Sequence, residues 1–481
     1  MEDGHRNSNE AKQPHQVWAR LFRFDEHFGP ISSPRSDNEV GRWLIGHRNT
    51  EMKRRNPIKF RLIRLHEYFV LRWYPGSDGE AESALRFRFR LRKQAREINS
   101  VWQQATCLNY TVYFSRLFSE SESESECTLA VGYGIMIGDD VYGEDPTVNR
   151  LQTEVALLLG KESSLFVPSG TMANLIAAMV HCNKRSAEML CGDLSHVFKR
   201  EGGISHLVGV QVSALKNCSD GTFKLDDFEK HIRGADIQEP ITMMVSIENT
   251  HSYCGGKVLP LQWIENLAQV SRKHGVAVHM DGARLFNASE YLREDPARLV
   301  RDCDSVSFCF SKGLGAPVGS ILAGTRRFID QARRFRKMLG GGMRQAGVIA
   351  AAALVSLEQS VPSLDADHRR AQYLAKEIQK LKLPICTVDT INQHTNIVHV
   401  NISDKTNITS KKIVDRLYTV SQSETNGDCK TSEGLCIVVR GSAKPDSKTL
   451  RFVLHHDIND ADLKLAVKKV CFVLTEMDKN K

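Results

Sequence analysis

The stretch DSVSFCFSKGLGAPVGS, residues 304–320, places one lysine, Lys312, between an apolar run and a glycine-rich loop. The run SVSFCF is short, apolar and followed by glycines, which is typical of a buried β-strand. A lysine at the end of such a strand needs a chemical reason, because a charged ammonium group is costly to bury. Three explanations are open for Lys312: contact with a phosphate, an ordinary solvated lysine, or covalent chemistry.

Similar apolar runs occur upstream and alternate with segments of helical spacing. The runs are LFVPSG, EMLCGD, HLVGVQV, ITMMVSIEN and GVAVHMD, and helices are predicted at 171–182 and 261–274. Pro260 as the first residue and Gly275 just past the end delimit the second helix. The alternation predicts an α/β fold with a mostly parallel sheet covered by helices. In such sheets a ligand lies at the carboxyl ends of the strands.

The 481 residues divide by composition into three predicted regions. Residues 1–127 are rich in arginine and end in the low-complexity run FSESESESE, so we predict an atypical, partly disordered basic extension. Residues 128–365 form the α/β domain. Residues 366–481 are predicted to be a smaller α+β domain with a helix at 368–381, strands at NIVHVNI, LCIVVR and TLRFVLHH, and a closing helix, DADLKLAVKKVCFVL.

The composition argues against several classes of protein. The net charge of +8 is small for this length, and the basic run at 86–96 is too short to predict nucleic-acid binding. The 12 cysteines contain no CxxC pair, which predicts reduced thiols in an intracellular protein and no metal site. No run approaches about 18 apolar residues, so we predict no transmembrane helix. We expect a cytoplasmic location, with mitochondrial import as the alternative because the amino-terminal region is rich in arginine.

Polar side chains follow several of the predicted strands and are expected to converge on one edge of the sheet. In chain order they are Asp193, His196, Glu248, Asn249, His251, Asp281, Arg284 and Lys312. Each also has a purely structural explanation. Asp281 would serve as a helix cap, Arg284 as half of a surface ion pair, and His196 as a hydrogen-bonded histidine.

A phosphate site is better placed before the first helix than at the glycine loop. GLGAPVG fits the dinucleotide fingerprint poorly, because its spacing is G-x-G-x-x-x-G and a proline lies inside it. Ser169, Gly170 and Thr171 instead open a helix whose free N–H groups suit a phosphate. Lys312, expected in a partly dry site, then remains for a Schiff base. Asp281 would pair with a protonated ring nitrogen, and this set describes pyridoxal 5′-phosphate (PLP).

Seven stretches in the same order resemble the low-specificity L-threonine aldolase family, PLP enzymes with the aspartate aminotransferase-type fold (fold type I). The stretches are IGDDVYGEDPTVNRLQ, PSGTMAN, GDLSHVF, ENTHSYCGG, HMDGARLFNA, SFCFSKGLGAPVGS and LGGGMRQAG. The resemblance implies that Lys312 holds PLP covalently, Asp281 pairs with its ring nitrogen and His196 stacks on the ring. It also implies that Gly170 and Thr171, with Ser169 beside them, hold the phosphate.

The resemblance further implies how the substrate is held. Arg284 and Arg451 would clamp its carboxylate, where a bidentate fork suits a planar anion. His251 would lie near the β-hydroxyl group. Tyr142 and Arg344 match stretches that approach the site across a subunit interface, which implies a homodimer or a homotetramer built from dimers. The alternative for Tyr142 is packing in the core.

The implied reaction is retro-aldol cleavage of L-threonine and L-allo-threonine to glycine and acetaldehyde, a step in threonine catabolism and glycine biosynthesis. Three bases remain open for the β-hydroxyl proton: His196, His251, or a water held by them. The family's Arg-Ser-Asp-Thr strand is missing from its expected window at 113–129, and Arg35-Ser36-Asp37 is a coincidental match. Two alternatives therefore stand: a catalytically impaired PLP-fold scaffold, and another PLP lyase such as a β-eliminating enzyme.

Overall fold

The computed structural model describes residues 60–65, 68–73, 136–234, 236–427, 429–443 and 447–479. The chain divides into two units, Met1–Asn109 and Tyr110–Lys481. Within the first unit the described part is one antiparallel pair, β1 (Phe60–Leu65) and β2 (Tyr68–Trp73). Apart from this pair, the predicted extension at 1–127 lies outside the described residues, as does the window of the missing strand. All the predicted site residues belong to the second unit.

A seven-stranded sheet forms the centre of the second unit. Its strands are β3 (Ser163–Val167), β4 (Ala187–Gly192), β5 (Gln211–Leu215), β6 (Ile241–Glu248), β7 (Ala277–Asp281), β8 (Ser305–Cys309) and β9 (Ser320–Gly324). Their spatial order is β3-β9-β8-β7-β6-β4-β5. The pairs within β4 to β8 are parallel, whereas β9 runs antiparallel to both β3 and β8. The predicted mostly parallel α/β sheet is therefore confirmed.

Helices pack against this sheet and bury its apolar side chains. They are α1 (Pro146–Leu158), α2 (Gly170–His181), α3 (His196–Arg200), α4 (Leu225–His231), α5 (Leu261–His274), α6 (Leu285–Leu292), α7 (Pro296–Val300), α8 (Arg326–Met338) and α9 (Gly347–Ser360). Helix α2 lies across β7, β8 and β9 and is buried without interruption from Ala173 to Val180. This burial explains why α2 is apolar on nearly all sides.

The predicted elements of this sheet hold with three local corrections. Helix α5 spans the predicted residues and ends at Gly275 in the left-handed conformation, φ 67°, but Pro260 is its N-cap and not its first residue. Of the run HLVGVQV only Gln211 and Val212 belong to a strand, because Ile204–Val208 forms a π-helix and β5 begins at Gln211. Strand β9 was not predicted, because its short run follows directly on the glycine loop and is easily taken for part of it.

A three-stranded antiparallel sheet, β10 (Cys386–Val388), β11 (Ile397–Ile402) and β12 (Thr449–Val453), lies towards the carboxyl end. It packs with α10 (Leu364–Lys380), α11 (Ser410–Tyr418) and α13 (Asp460–Lys479), and the short helix α12 (Gln422–Asn426) follows α11. The predicted strand LCIVVR is wrong: within it only Cys436 forms an isolated bridge, and Leu435 and Val438 are exposed. Too few of its side chains reach the core to hold it as a strand. The domain boundary at 365/366 stays a prediction.

One stretch, Gly347–Lys380, is long and apolar enough to cross a membrane by length and composition, with 33% of its most apolar window buried. It consists of two helices, α9 and α10, joined by a short 3₁₀ turn at Val361–Ser363. Its apolar side chains have packing partners, because α9 contacts α1 and buries Ala350 and Ala353. The prediction of no membrane span remains a prediction.

Candidate active site

The register of the sheet brings several predicted residues to one edge. Glu248, the last residue of β6, pairs with Asp281, the last residue of β7, and Asp281 in turn pairs with Ser307 in β8. Lys312 follows the end of β8 by three residues. Asp193, at the end of β4, instead accepts hydrogen bonds from the backbone N–H of Asn217 and the ammonium group of Lys216, so it ties β4 to the segment after β5.

Asp281 is a buried carboxylate that forms no ion pair with the part of the chain that the structure describes. Asp281 is only 4% exposed. Oδ2 accepts a hydrogen bond from Asn174 Nδ2 at 2.9 Å, and Oδ1 accepts one from the backbone N–H of Ala283 at 3.1 Å. No Lys, Arg or His within the described ranges forms a salt bridge with it. It does not cap α6, since the N-cap there is Arg284. A buried anion of this kind suits a cationic ligand group.

Asn174 is the centre of the hydrogen-bond network around Asp281. Its Nδ2 donates to Asp281 and also to Glu201 Oε1 at 3.2 Å. Its Oδ1 accepts from Ser307 Oγ at 2.9 Å and contacts His279 Nε2 at 3.1 Å. Because Glu201 and Asp281 both contact the same end of the Asn174 amide, that end must be the NH₂ group, which determines the orientation of the amide.

A chain of hydrogen bonds runs from Asn174 through His279 and Ser305 to His181, and the position of each hydrogen in it can be assigned in turn. Because Asn174 Oδ1 is an acceptor, His279 Nε2 carries the hydrogen and His279 Nδ1 accepts from Ser305 Oγ at 2.8 Å. Ser305 Oγ then accepts from His181 Nε2 at 2.7 Å. Burial lowers the pKa of His279 to about 3 and that of His181 to about 4. Both rings are therefore neutral, and the network adds no positive charge behind Asp281.

His196 begins α3 and lies among three carboxylates. Its backbone N–H donates to Glu248 Oε2 at 2.8 Å, and its Nδ1 lies 3.1 Å from Glu201 Oε1. Ligand atoms of His196, Glu201 and Asp281 all lie within 4.8 Å of one another. The Glu201 hydrogen bond raises the pKa of His196, although burial opposes it. His196 is thus a half-buried, electrostatically tuned base beside Asp281.

Arg284 is a second charged group at this edge that forms no salt bridge with the described residues, although the charges of Glu248 and Asp281 act on it. Its Nε is buried and has no hydrogen-bond partner within the described chain. Burial lowers the pKa of Arg284 from its ordinary value. Arg284 and Gly313, the residue after Lys312, line the same small pocket. The predicted alternative of a surface ion pair is therefore wrong, because Arg284 forms no salt bridge with an Asp or Glu among the described residues and its Nε is buried.

Arg451 contacts the loop after β6 that contains His251. Arg451, in β12, donates from Nη2 to Ser252 Oγ at 3.1 Å. The backbone N–H of Ser252 in turn donates to Glu248 Oε1 at 2.9 Å, so Glu248 holds both this loop and the start of α3. His251 is 1% exposed, and its Nδ1 has no hydrogen-bond partner among the described residues.

The amino terminus of α2 lies against the end of β8. Ser169 caps this helix by accepting from the backbone N–H of Met172 at 3.2 Å, so its hydroxyl is already engaged. A Cβ at Gly170 would lie 2.7 Å from Cys309 Sγ, which is closer than packing tolerates. Thr171 is exposed. The first N–H groups of a 12-residue helix therefore open beside the strand that leads to Lys312.

Gly170→Ala should destabilise the fold by about 1–3 kcal/mol, because the new methyl group must displace the Cys309 thiol. The same displacement should weaken phosphate binding at the helix terminus. We would measure thermal unfolding of the apoprotein and PLP affinity by titration. Gly202→Ala is the matched control, since nothing lies within 4 Å of a Cβ there. The double variant Gly170→Ala/Cys309→Ala should regain stability, and a failure to regain it would contradict the packing argument.

Lys312 is exposed in the single chain, so the expectation of a partly dry lysine is wrong there. The reason is local: β8 ends at Cys309, and Lys312 lies in a turn closed by a hydrogen bond from the Gly315 N–H to its carbonyl at 2.9 Å. A turn beyond the sheet edge leaves the side chain in solvent. Such a lysine is accessible to an aldehyde, which covalent attachment requires.

Tyr142 and Arg344 lie together on the surface. The Arg344 guanidinium is 5.5 Å from the centre of the Tyr142 ring and donates to Asp139 Oδ2 at 2.5 Å. The backbone N–H of Asp140 donates to the carbonyl of Arg344 at 2.7 Å. Tyr142 is 71% exposed, so the alternative that it packs in the core is wrong.

These observations fit PLP. The open terminus of α2 suits the phosphate, the buried anion of Asp281 suits a protonated ring nitrogen, and the accessible amine of Lys312 suits the aldehyde. The unpaired guanidinium of Arg284 additionally suits a substrate carboxylate. The fold and the site together define a PLP-dependent enzyme of fold type I.

Comparisons with known proteins identify the family. Residues 121–401 match the family described as Beta-eliminating lyase. The chain is 41% identical over 342 residues to a probable low-specificity L-threonine aldolase 2 of Arabidopsis thaliana, covering 70% of this chain and 89% of the relative. It is 41% identical over 270 residues to the low specificity L-threonine aldolase of Escherichia coli K12, covering 56% and 78%. The chain belongs to the low-specificity L-threonine aldolase family.

A solved structure agrees at the level of the fold. The putative L-allo-threonine aldolase of Listeria monocytogenes matches with a TM-score of 0.57 and 23% identity, covering 70% of this chain and 89% of that one. Enzymes of this family use PLP, in agreement with the fit of the site.

Three residues of the site were missed by the sequence reasoning: Asn174, Glu201 and Ser252. Asn174 lies within PSGTMAN, one α-helical turn after Gly170, and that spacing was the available signal. Glu201 lies five residues after His196. Its contact depends on the end of the short helix α3, which no spacing rule anticipates.

Proposed function

We propose that this protein cleaves L-threonine and L-allo-threonine to glycine and acetaldehyde in a PLP-dependent retro-aldol reaction. The observation that carries the proposal is that Asp281 and Arg284 lie at one edge of the sheet and that neither forms a salt bridge within the described chain. One is complementary to a pyridinium nitrogen and the other to an amino-acid carboxylate. The similarity to the L-threonine aldolases of Arabidopsis and Escherichia coli supports the same reaction.

Bound PLP would supply an electron sink for the Cα–Cβ bond as it breaks. Asp281 would keep the ring nitrogen protonated, since a carboxylate stabilises the cation beside it. The amide groups at the start of α2, at Gly170 and Thr171, would bind the phosphate, and Ser169 would set their direction as the helix cap. Lys312 would be the covalent attachment point.

The two arginines would orient the substrate. Arg284 would bind the carboxylate from the end of β7, and Arg451 would approach from β12 through the Ser252 loop. A carboxylate held from two sides restricts rotation about the bond to Cα, so the bond to be broken is aligned before the reaction. His196, which lies next to Asp281, would stack on the ring of the bound cofactor.

The β-hydroxyl proton needs a base, and two histidines offer one. His196 has a raised pKa and lies beside Asp281. His251 is buried with an unsatisfied Nδ1, so it would accept a hydrogen bond from a substrate hydroxyl or a bound water. The hydrogen bonds of the two histidines exclude neither of them as the base for the β-hydroxyl proton. Both therefore remain candidates, alongside a water held between them.

The test is an assay of purified protein supplied with PLP. L-Threonine and L-allo-threonine should each yield acetaldehyde, followed with an alcohol dehydrogenase, together with an equal amount of glycine. The D-isomers serve as controls. Pyruvate and ammonia in place of glycine would identify a β-eliminating enzyme, consistent with the description of the matching family. PLP binding without any product would identify the impaired scaffold.

We propose in addition that the protein is a homodimer, or a homotetramer built from dimers. Helix α9 begins with an unbroken apolar run at 348–355, yet Val348 is 52% exposed. Helix α1 packs beside it and exposes Leu157 at 76%. This apolar face, made of α1 and α9, adjoins the segments that carry Tyr142 and Arg344. A second copy of the chain would cover the face and bring these two side chains to its partner's site.

Val348→Asp should weaken association at least about tenfold, because it buries a charge in an apolar interface. Sedimentation velocity over a range of concentrations would measure the change. Gln359→Asp is the matched control, since it adds the same charge at an exposed position of the same helix. Equal association of both variants would rule out this face as the interface.

A further inference from the structure

We infer that Glu201 is a positioning residue for His196: it determines which ring nitrogen carries the hydrogen, so that Nε2 is left as the base. The inference rests on the proposed function, because it concerns the proton taken from the substrate hydroxyl. It also narrows the choice of base, since it assigns that role to His196 and not to His251.

The first argument is the geometry of the Glu201 carboxyl group. Oε1 accepts a hydrogen bond from Asn174 Nδ2 at 3.2 Å and lies 3.1 Å from His196 Nδ1. The Asn174 amide cannot turn round, because its Oδ1 is occupied by Ser307 and His279. As a carboxylate, Glu201 has no hydrogen to donate, so Oε1 also accepts from the imidazole and the hydrogen of neutral His196 resides on Nδ1. The lone pair is then on Nε2.

The second argument is that Glu201 and Asp281 share one amide. The two hydrogens of Asn174 Nδ2 are divided between them, at 3.2 Å and 2.9 Å. Asn174 thus fixes two carboxyl groups relative to each other. The Glu201 carboxyl orients His196, and the Asp281 carboxyl suits the ring nitrogen. A shift of one would move the other. This is the behaviour expected of a supporting network that aligns a base with a cofactor.

The charges around His196 come from three elements. Glu201 follows α3, Glu248 ends β6 and Asp281 ends β7. Arg284, beyond Asp281, interacts with both Asp281 and Glu248. The hydrogen bond to Glu201 is the largest influence on His196 and raises its pKa, burial lowers it, and the charges of Asp281 and Glu248 raise it further. Burial raises the pKa of Glu201, and the His196 hydrogen bond opposes this.

The sign of the pH effect follows from these directions. A base works only when it is unprotonated, so the rate falls as pH drops through the pKa of His196. Removing the carboxylate of Glu201 removes an interaction that favours the protonated imidazole. The pKa of His196 should then fall, and the acid limb of the pH profile of kcat/KM should move to lower pH. A residue that merely supported the fold would lower the rate without moving this limb.

The experiment compares wild type, Glu201→Gln and Glu229→Gln. Glu229 is the matched control because its Oε1 also contacts a histidine, His274 Nε2 at 3.0 Å, but on the exposed surface. In the apoprotein, ring ¹⁵N shifts of His196 should show hydrogen on Nδ1 in wild type. Glu201→Gln should lower the pKa of His196, and Glu229→Gln should leave it unchanged. In the holoenzyme the acid limb should move only in Glu201→Gln.

Three outcomes would overturn the inference. They are hydrogen on Nε2 of wild-type His196, an unchanged His196 pKa in Glu201→Gln, and an unmoved acid limb in that variant. The wild-type spectrum needs no substitution, so it decides even if Glu201→Gln does not fold. The apoprotein measurements also need no turnover. An inactive wild-type enzyme with the expected His196 signals would therefore count against the proposed function and not against the role of Glu201.

Discussion

Lys312→Ala should lower threonine cleavage by at least about a thousandfold, because it removes the only group proposed to attach PLP covalently. The exposure of Lys312 sharpens the expectation: truncating an exposed side chain should leave the stability of the apoprotein nearly unchanged. The loss would then be chemical and not a failure to fold. Absorbance, borohydride reduction followed by peptide mapping, and the acetaldehyde assay would measure it.

Lys199→Ala is the matched control for Lys312. Lys199 is also exposed and lies three residues after His196, at the same edge of the sheet. This variant should retain a cofactor that borohydride fixes to the peptide containing Lys312. Normal turnover by Lys312→Ala, or a reduced adduct on Lys199 in the wild type, would remove the proposed mechanism.

Asp281→Asn should lower kcat by about 10²–10³-fold, the size of effect seen when one preorganised electrostatic contact is lost from an active site. The substitution keeps the shape of the side chain but removes the charge that would hold the ring nitrogen protonated. It also disturbs hydrogen bonding, because both neighbours of Asp281, Asn174 Nδ2 and the Ala283 N–H, are donors. An amide satisfies one of them only, so we expect a further loss of about 1–3 kcal/mol in stability.

Asp304→Asn is the control variant that separates the effect on kcat from the effect on stability. Asp304 Oδ2 accepts from the backbone N–H of Val278 at 2.7 Å, near the opposite end of β7 from Asp281. Its replacement also weakens a hydrogen bond of this strand, but at a distance from the site. We expect Asp304→Asn to lose stability and keep kcat. Equal rates for wild type and Asp281→Asn would contradict the ring pairing.

Much of the fold was predictable because the strands of a parallel sheet are short, apolar and bounded by turn residues. The predicted runs at Ile241–Glu248, Ala277–Asp281 and Ser305–Cys309 are strands in the structure, and α5 has the predicted bounds. The failures have a common cause. LCIVVR and the first half of HLVGVQV are apolar enough for strands, but whether such a run finds a partner depends on residues distant in sequence.

The electrostatics of the candidate site were less predictable than its members. Lys312 was expected to be partly dry, but the turn after β8 leaves it exposed. Tyr142 was open to packing in the core, but its segment lies on the surface with Arg344. In both cases the residue type and its place in the chain were apparent, whereas burial depends on what the folded chain places around the side chain.

The amino-acid sequence by itself determined the class of fold and the order of the chemical groups, because strand periodicity and motif order are properties of neighbouring residues. Only the tertiary structure decided how those groups are charged and oriented. Asn174, Glu201 and Asp281 are distant in the chain, and one amide joins two carboxylates only after α2, α3 and β7 have packed together. Hydrogen-bond direction and burial act over a few ångströms in space, so sequence spacing carries no record of them.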